Sequence, residues 1–578
     1  MVHEVRRLVH RAGQLSERPN TPVVLELDLT EGVLEIPPGD PLSAVMSHRR
    51  PRLQEVLEGL RWARADPNVV AVLVKLGGSR LTLAAAQEVR DALAETRRSG
   101  KLTVAWAETF GESGIAGNVP YVVATACERI YLQPSGDLGL TGLGTEEPFV
   151  REALDKAGLE PQLGQRHEYK TAANTFLERG YTDAHRRMSE RLVQSLTEQV
   201  VAAVAAGRGL TEARVRELID RAPLLAGEAL DAGLVDGLAY RDQVYDEARG
   251  RFGERARLQY VMRYHRSLSR NVARWAAARR RPDAVALIHA VGMIRLGRSA
   301  RSPLGSAAGS ETVGAAFRAA IKDDRVKAIV FRVDSPGGSY VGSDAIWRHV
   351  VLARRRGKPV VVSMGRVAAS GGYFVSMGAD TIVAQPATLT GSIGVLGGKM
   401  VTAGLKGRIG IAHDSVAGGD HALMYSSNRP FSDGEWERMH AMLDRIYDDF
   451  TAKVAEGRSM DRGAVEDAAR GRVWTGADAK DRGLVDELGG LERALALAKQ
   501  HAGIAPDVEV DLRIVPRPSP LERLRPAESS EDPTAADART VSPEGLALTA
   551  WGRLAPLAAR LGLPAAGPLT LPGTWDLR

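Results

Sequence analysis

The sequence is short of the residues on which several classes of protein depend. Its 578 residues include one cysteine, Cys127, so no disulfide can form within the chain, and the lone thiol is expected to be a small buried apolar residue. Aromatic residues make up only 5% of the chain and the net charge is +6, which leaves few platforms for base stacking and little basic excess. The sequence therefore predicts no nucleic-acid partner.

Long apolar runs are also missing. No stretch approaches the roughly 18 to 20 residues needed to span a bilayer, and the run MVHEVRRLVHRAGQLSERPN at the N-terminus lacks the apolar core of a signal peptide. The sequence therefore predicts a chain without a transmembrane segment that is made and kept in the cytoplasm.

What the sequence does contain is a long internal repeat. ADPNVVAVLVKL at 65–76 matches KDDRVKAIVFRV at 322–333, and a glycine pair follows each run. GEALDAGLVDG at 227–237 likewise matches GADAKDRGLVDE at 476–487. The offset stays near 250 to 260 residues, so the repeating unit is a whole domain and not one element of a solenoid.

Each repeat alternates short β-branched runs with helical patterns. The apolar runs at 21–27 and 284–291 predict matching strands that open the two repeats, and long amphipathic helices are predicted near their ends, at 189–209 and 433–458. Strands that alternate with helices favour right-handed βαβ units. We therefore predict an α/β protein of two tandem duplicated domains with mostly parallel sheets.

These patterns divide the chain into five predicted parts, which are an N-terminal extension at 1–20, a first repeat at 21–250, an Arg-rich linker at 251–282, a second repeat at 283–505 and a Pro- and Ser-rich, partly disordered tail at 506–578.

The Arg-rich linker has ten arginines against one acidic residue, Glu254. On a helix its apolar side chains would share one face and several arginines the other; the apolar set is Leu258, Val261, Met262, Leu268, Val272 and Trp275, and the basic set is Arg263, Arg266, Arg270 and Arg274. Such a helix either lies on an anionic membrane surface or packs on its own domain or on a neighbouring subunit, and we favour packing.

Two glycine-rich turns in the second repeat are candidates for chemistry. Gly337-Gly338 follows a predicted strand, and Ser370 stands in AASGG where the next strand meets a helix. A serine at this edge of an α/β sheet would face a ligand site. The amides of Gly338 and Gly371 could then stabilise an oxyanion.

A nucleophilic serine also needs a base. Lys170, in the first repeat, and His421, at the corresponding place in the second, are the two candidates. A lysine base requires a pKa lowered from about 10.4 towards 7 or 8, which burial among apolar neighbours would supply. Ser113 occupies the first-repeat position that corresponds to Ser370 but lacks small neighbours, so we interpret it as a relic.

Several motifs together carry a resemblance to a known family: DSPGG at 334–338, AASGGYFVS at 368–376, LTGSIGV at 389–395, EYKTA at 168–172 and the two GLVD segments. They resemble the signal peptide peptidase A family in its long two-copy form. The resemblance covers roughly residues 20 to 500 and implies a fold of the ClpP and crotonase type. By that resemblance Ser370 is the nucleophile and Lys170 the general base, one from each repeat. Ser392 is by similarity a candidate helper that orients the lysine, although it could equally be a turn serine that caps a helix.

The resemblance implies a serine endopeptidase that cleaves small or apolar peptides such as remnant signal peptides, needs no metal or organic cofactor, and assembles as a homo-oligomeric ring or dome. Membrane-bound members of the family carry a transmembrane helix near the N-terminus, which this sequence lacks, so any contact with anionic membrane would be peripheral. Three alternatives remain at this point, namely a crotonase-like acyl-CoA enzyme, a non-catalytic membrane-associated scaffold, and a site that pairs Ser370 with His421.

Overall fold

The computed structural model describes residues 21–37, 50–78, 81–112, 116–253, 255–277, 283–302, 305–508, 510–515 and 569–570. The strands of the first repeat and of the segment that follows it are β1 (Val23–Asp28), β2 (Val69–Leu76), β3 (Leu102–Ala107), β4 (Arg129–Leu132), β5 (Asp137–Leu138), β6 (Glu160–Arg166), β7 (Leu224–Leu225), β8 (Gly237–Leu238) and β9 (Arg257–Tyr260).

The helices of the same part are α1 (Leu53–Ala65), α2 (Leu83–Arg98), α3 (Asn118–Ala124), α4 (Arg151–Ala157), α5 (Asn174–Leu177), α6 (Asp183–Arg208), α7 (Glu212–Arg221), α8 (Ala226–Asp231), α9 (Arg241–Gly250) and α10 (Val261–Ala277). A short 3-10 turn at Thr171–Ala173 precedes α5. Six strands form a fully parallel sheet in the order β8-β4-β3-β2-β1-β9.

The strands of the second repeat and the tail are β10 (Ala284–Val291), β11 (Met293–Arg295), β12 (Ala300–Ser302), β13 (Gly305–Gly309), β14 (Val326–Ser335), β15 (Gly337–Gly338), β16 (Val360–Ala369), β17 (Thr381–Ala384), β18 (Leu389–Gly391), β19 (Val395–Val401), β20 (Val473–Thr475), β21 (Glu487–Leu488), β22 (Asp511–Val515) and β23 (Leu569–Thr570). The helices are α11 (Ser310–Lys322), α12 (Tyr340–Arg355), α13 (Gly371–Ser376), α14 (Ala403–Arg408), α15 (Asp433–Arg458), α16 (Arg462–Ala468), α17 (Gly476–Asp481) and α18 (Leu491–His501).

The second repeat builds its own sheet along the path β20-β18-β16-β14-β10-β22, with β17 and β21 attached beside β16. Its pairs are parallel except for β18 with β20. The predicted α/β fold of tandem domains with mostly parallel sheets is confirmed. The two predicted long helices are confirmed as α6 and α15, each of 26 residues.

The two repeats share a core. Leu57 of α1 and Val89 of α2 belong to the same buried apolar cluster as Val285 of β10 and Val330 of β14. Helices of the first repeat therefore cover one face of the second sheet. Because apolar surface is removed from water at this junction, the repeats stabilise each other and hold a fixed relative position.

A buried ionic cluster ties the repeats together at the same junction. Arg332 of β14 is 1% exposed and pairs with two carboxylates of the first repeat, Glu35 at 2.6 Å and Glu88 at 2.7 Å. Burial raises the pKa of the Glu88 carboxyl, and the positive charge of Arg332 opposes that rise. A buried charge is tolerated only with such partners, so each repeat depends on the other for charge neutralisation.

The described residues of the Arg-rich linker, 251–253 and 255–277, belong to the first repeat in the structure. Arg257–Tyr260 forms β9 and pairs with β1, so Leu258 lies in a strand and not on the predicted helix. In α10, Val261 and Leu268 are buried, and the hydroxyl of Tyr264 donates to Asp66. The apolar side of this part of α10 therefore packs on its own domain, which is the arrangement we favoured.

The second sheet likewise extends beyond the boundary predicted for the tail. Asp511–Val515 pairs with β10 as β22, although the tail was expected to begin at 506. Within the described ranges, no helix is both long enough and apolar enough to cross a membrane.

Candidate active site

Ser370 stands at the junction of β16 and α13. Its backbone has φ 55° and ψ −115°, a conformation that is strained for a residue with a side chain. The Ser370 amide donates to the carbonyl of Gly391 at 2.8 Å, which holds the turn against the neighbouring strand β18. Ala368 and Ala369, just before the turn, are fully buried.

The pairing of β6 with β19 brings Lys170 to this place. The two strands run antiparallel, and Arg166 at the end of β6 lies opposite Val395 at the start of β19. Lys170 follows β6 by four residues, and Ser392 precedes β19 by three. An inter-repeat strand pair therefore positions both residues at the carboxyl end of β16 and β18.

The side chains of Ser370, Lys170 and Ser392 converge in a fully buried cluster. The Lys170 Nζ lies 2.8 Å from Ser370 Oγ, 3.0 Å from Ser392 Oγ and 3.2 Å from the Ser392 carbonyl oxygen. All three residues are 0% exposed. The Lys170 amine can thus donate to both oxygens of Ser392 while its remaining hydrogen or lone pair faces the Ser370 hydroxyl.

Burial lowers the pKa of Lys170 to about 7. The cause is desolvation, because burial disfavours the charged ammonium. At neutral pH a substantial fraction of the amine is therefore unprotonated and able to accept a proton.

A segment that the sequence patterns did not single out fixes both Lys170 and Ser392. The Ser392 amide donates to Arg472 O at 2.7 Å, and the Gly471 amide donates to Ile393 O at 2.8 Å. A Cβ built on Gly471 would lie 2.4 to 2.6 Å from Lys170 N, Cα and Cβ. Only glycine fits there without displacing the lysine, and a lone glycine in ARGRVW gives no such signal in the sequence.

The predicted oxyanion donors lie on adjacent backbone segments. A Cβ built on Gly371 would come within 3.1 Å of Gly338 N and within 2.7 Å of Ser343 Oγ, so the two turns are in close contact. Gly338 itself has φ +145°, and a Cβ there would lie 2.2 Å from Ile294 O. A side chain at either position would come too close to the facing backbone, so the geometry of this turn requires glycine at both.

The other predicted residues lie elsewhere or outside the description. His421 is exposed, and its ring lies beside Gly434 in the first turn of α15, so it is not the partner of Ser370. Ser113 lies outside the described residues. Asp334 of the DSPGG motif is buried and accepts hydrogen bonds from the Val367 amide and the Arg366 side chain, which fixes the turn before Gly337.

Comparison with known proteins gives this geometry its context. Residues 95–253 and 352–505 match peptidase family S49, one segment in each repeat and together more than half of the chain. The chain belongs to peptidase family S49. It is therefore a serine peptidase, which excludes the acyl-CoA enzyme and the non-catalytic scaffold as its main function.

Curated relatives of this S49 peptidase align along most of its length. It is 31% identical over 469 residues to "Serine protease SPPA, chloroplastic" of Arabidopsis thaliana, covering 81% of this chain and 68% of that protein. It is 31% identical to "Protease 4" of Salmonella typhi, with 78% and 73% covered, and 28% identical to "Protease 4" of Haemophilus influenzae, with 79% and 74% covered. The resemblance noted from the sequence motifs is confirmed.

Proposed function

We propose that this chain is a serine endopeptidase whose nucleophile, Ser370, and general base, Lys170, come from different repeats. The observation that carries the proposal is the 2.8 Å separation of Lys170 Nζ and Ser370 Oγ in a site without exposed surface. Desolvation, which lowers the pKa of Lys170 to about 7, supplies the basicity that such a role needs.

In the acylation step, the neutral Lys170 amine takes the proton of the Ser370 hydroxyl as Oγ attacks the scissile carbonyl carbon. The Gly338 and Gly371 amides donate to the oxyanion of the tetrahedral intermediate, where each donor is typically worth about 3 to 4 kcal/mol. When the C–N bond breaks, the Lys170 ammonium gives its proton to the leaving amine, and an ester to Ser370 remains.

Water completes the cycle. Lys170, neutral again, takes a proton from a water molecule whose oxygen attacks the ester carbonyl. The C–O bond to Ser370 breaks, and its Oγ takes the proton back from Lys170. Ser392 acts as a positioning residue, because its hydroxyl and carbonyl oxygens hold the amine towards Ser370.

We propose that substrates bind as extended strands along the edge of β15 that faces away from β11. Main-chain pairing of this kind gives affinity with little demand on sequence. The small residues Ala368, Ala369 and Gly372 around the nucleophile favour small or apolar side chains near the scissile bond. Remnant signal peptides have that character and are the proposed substrate class.

Assembly of the peptidase into a ring or dome is part of the same proposal. The segment after α14 carries apolar side chains that are largely exposed, Ile409, Ile411, Val416 and Tyr425, which suits a contact between copies of this chain. Sedimentation of the parent and of Val416→Asp would test it, and an unchanged monomer in both would contradict it. Residence in the cytoplasm and peripheral membrane contact stay predictions from the sequence.

Peptide turnover tests the proposed pair of residues. With an apolar fluorogenic peptide, Ser370→Ala and Lys170→Ala should each lower kcat at least about 10³-fold, as expected when either member of such a unit is lost. Matched controls are Ser376→Ala and Lys358→Ala, which remove a buried serine and a half-buried lysine outside the cluster. Turnover by Lys170→Ala at the parental rate would show that the proposed base is wrong.

A further inference from the structure

The C-terminal tail contributes one short strand to the second repeat. Leu569–Thr570, as β23, pairs antiparallel with β15, with Thr570 opposite Gly337 and Leu569 opposite Gly338. The other edge of β15 is already paired with β11 at Ile294. The tail strand therefore takes the edge of β15 on which the proposed substrate would bind.

The tail strand also lies close to β19. This strand begins three residues after Ser392, and β15 carries the proposed oxyanion donor Gly338. Together β15 and β19 bound the place that we call the peptide groove. Addition of an antiparallel strand to a sheet edge is one way in which proteins bind extended peptides, so β23 has the pose that we propose for a substrate.

The sequence around the tail strand suits an extended ligand. Proline stands at positions 568 and 572, on either side of PLTLP, and proline disfavours helix both at its own position and at the residue before it. Between the prolines, Leu569, Thr570 and Leu571 keep the amide groups that strand pairing uses. Two of these three are apolar, in agreement with the small or apolar substrates proposed above.

Burial of the proposed catalytic groups points the same way. Ser370 and Lys170 are 0% exposed, and Gly337 and Gly338 are also buried. The tail strand pairs with Gly337 and Gly338 and therefore contributes to the cover over this part of the groove. Its removal would free the edge of β15 without any change in the sheet itself.

The chain is long enough for its own tail to reach this groove. The 53 residues between Val515, at the end of β22, and Leu569 can span up to roughly 175 Å when extended. Because the tail is covalently attached, its pairing with β15 is intramolecular, and its occupancy of the groove does not depend on the protein concentration.

We propose that the segment centred on Leu569–Thr570 is an intramolecular pseudosubstrate that competes with external peptides for the peptide groove. The proposal rests on the proposed peptidase function of the same site. It assigns to the tail a regulatory role: any partner or condition that draws the tail away would activate the enzyme without altering Ser370 or Lys170.

Kinetics of a tail variant test the competition. Leu569→Pro with Thr570→Pro removes both amide donors of β23, and we expect KM for a short apolar peptide to fall at least threefold with kcat unchanged. The tail contains the same dipeptide at Leu548-Thr549, so Leu548→Pro with Thr549→Pro is a matched control that should keep the parental KM. An active tail variant with the parental KM would overturn the proposal.

A distance measurement tests the placement without depending on catalysis. Spin labels at Val341→Cys, 56% exposed just after β15, and at Thr574→Cys would be introduced in a Ser370→Ala, Cys127→Ala chain. We expect a narrow distribution within about 30 Å that survives tenfold dilution with unlabelled protein and broadens in the diproline variant. A broad distribution, or one lost on dilution, would overturn the intramolecular pseudosubstrate.

The two readouts separate the proposals. If neither the parent nor the tail variant hydrolysed peptide or reacted with a serine-directed phosphonate, the proposed function would fail, while the distance would still decide where the tail lies. If the tail variant were active with parental KM, the pseudosubstrate would fail and the peptidase would stand.

Discussion

Replacement of Lys170 by methionine should change the free energy of unfolding by an amount that depends on pH. Methionine has a similar length and no charge, so it removes the titration and leaves most of the side-chain volume. Burial of Lys170 lowers its pKa from 10.5 to about 7, and this fall corresponds to about 5 kcal/mol of destabilisation of the folded state when the amine is protonated.

The sign follows from proton uptake. Between pH 7 and 10.5 the unfolded chain binds a proton at Lys170 that the folded chain does not, so the parent gains stability as pH rises through this window. Burial of the Lys170 amine therefore lowers the free energy of unfolding of the parent by about 4 kcal/mol at pH 7 and by about 2 kcal/mol at pH 9. The stability of Lys170→Met relative to the parent should therefore fall by about 2 kcal/mol from pH 7 to pH 9.

Urea denaturation followed by tryptophan fluorescence, at pH 7 and pH 9, measures this difference. The variant lacks the hydrogen bonds of Lys170 at both pH values, so their contribution cancels when the stability difference at pH 7 is compared with that at pH 9. Ser370→Ala is the control: it keeps the buried lysine, so its stability relative to the parent should be nearly constant between the two pH values. A Lys170→Met difference that stays constant, or that grows at pH 9, would refute the reasoning about the buried amine.

Two further predictions concern the surroundings of the site. Gly471→Ala should lower kcat/KM at least tenfold, because the added Cβ would displace Lys170. The control Gly419→Ala places its Cβ in open space and should keep the parental kcat/KM. Equal activity of the two variants would contradict the close packing of Gly471 against Lys170. Arg332→Met should destabilise the chain by about 3 to 5 kcal/mol, since it leaves carboxylates buried without their cation, and a second change, Glu88→Gln, should recover part of that loss. Urea midpoints of the Arg332→Met variant and of the Arg332→Met, Glu88→Gln double variant would measure these changes. An Arg332→Met variant as stable as the parent would contradict the role of Arg332 as the buried cation.

The repeat and its sheets could be predicted from the sequence because they rest on local patterns. The β-branched runs that became β2 and β14 and the apolar periodicity of α6 and α15 are visible within single segments. By contrast, β9 and β22 are short strands with no clear alternation, at Arg257–Tyr260 and Asp511–Val515. They are strands because each finds an edge, β1 or β10, that only the folded chain provides.

Some residues of the candidate site could likewise be predicted from the sequence, and others could not. Ser370, Lys170 and Ser392 stand in motifs that could be singled out, and their interpretation came from a family resemblance together with the chemistry of lysine burial. Gly471 could not be predicted, because its lack of a side chain matters only once Lys170 packs against it. Arg332 was also missed, since a lone arginine in a strand reveals no partner until the first repeat supplies Glu88.

The central claim, that Lys170 activates Ser370 across the two repeats, is tested most directly by the pH dependence of Ser370 modification. The rate of phosphonate attachment to Ser370, located by peptide mass spectrometry, should fall about tenfold per pH unit below about pH 7, because the buried amine becomes protonated. Lys170→Arg, which stays protonated, should abolish the reaction throughout. A parental rate in Lys170→Arg, or a rate independent of pH from 5 to 8, would contradict the account.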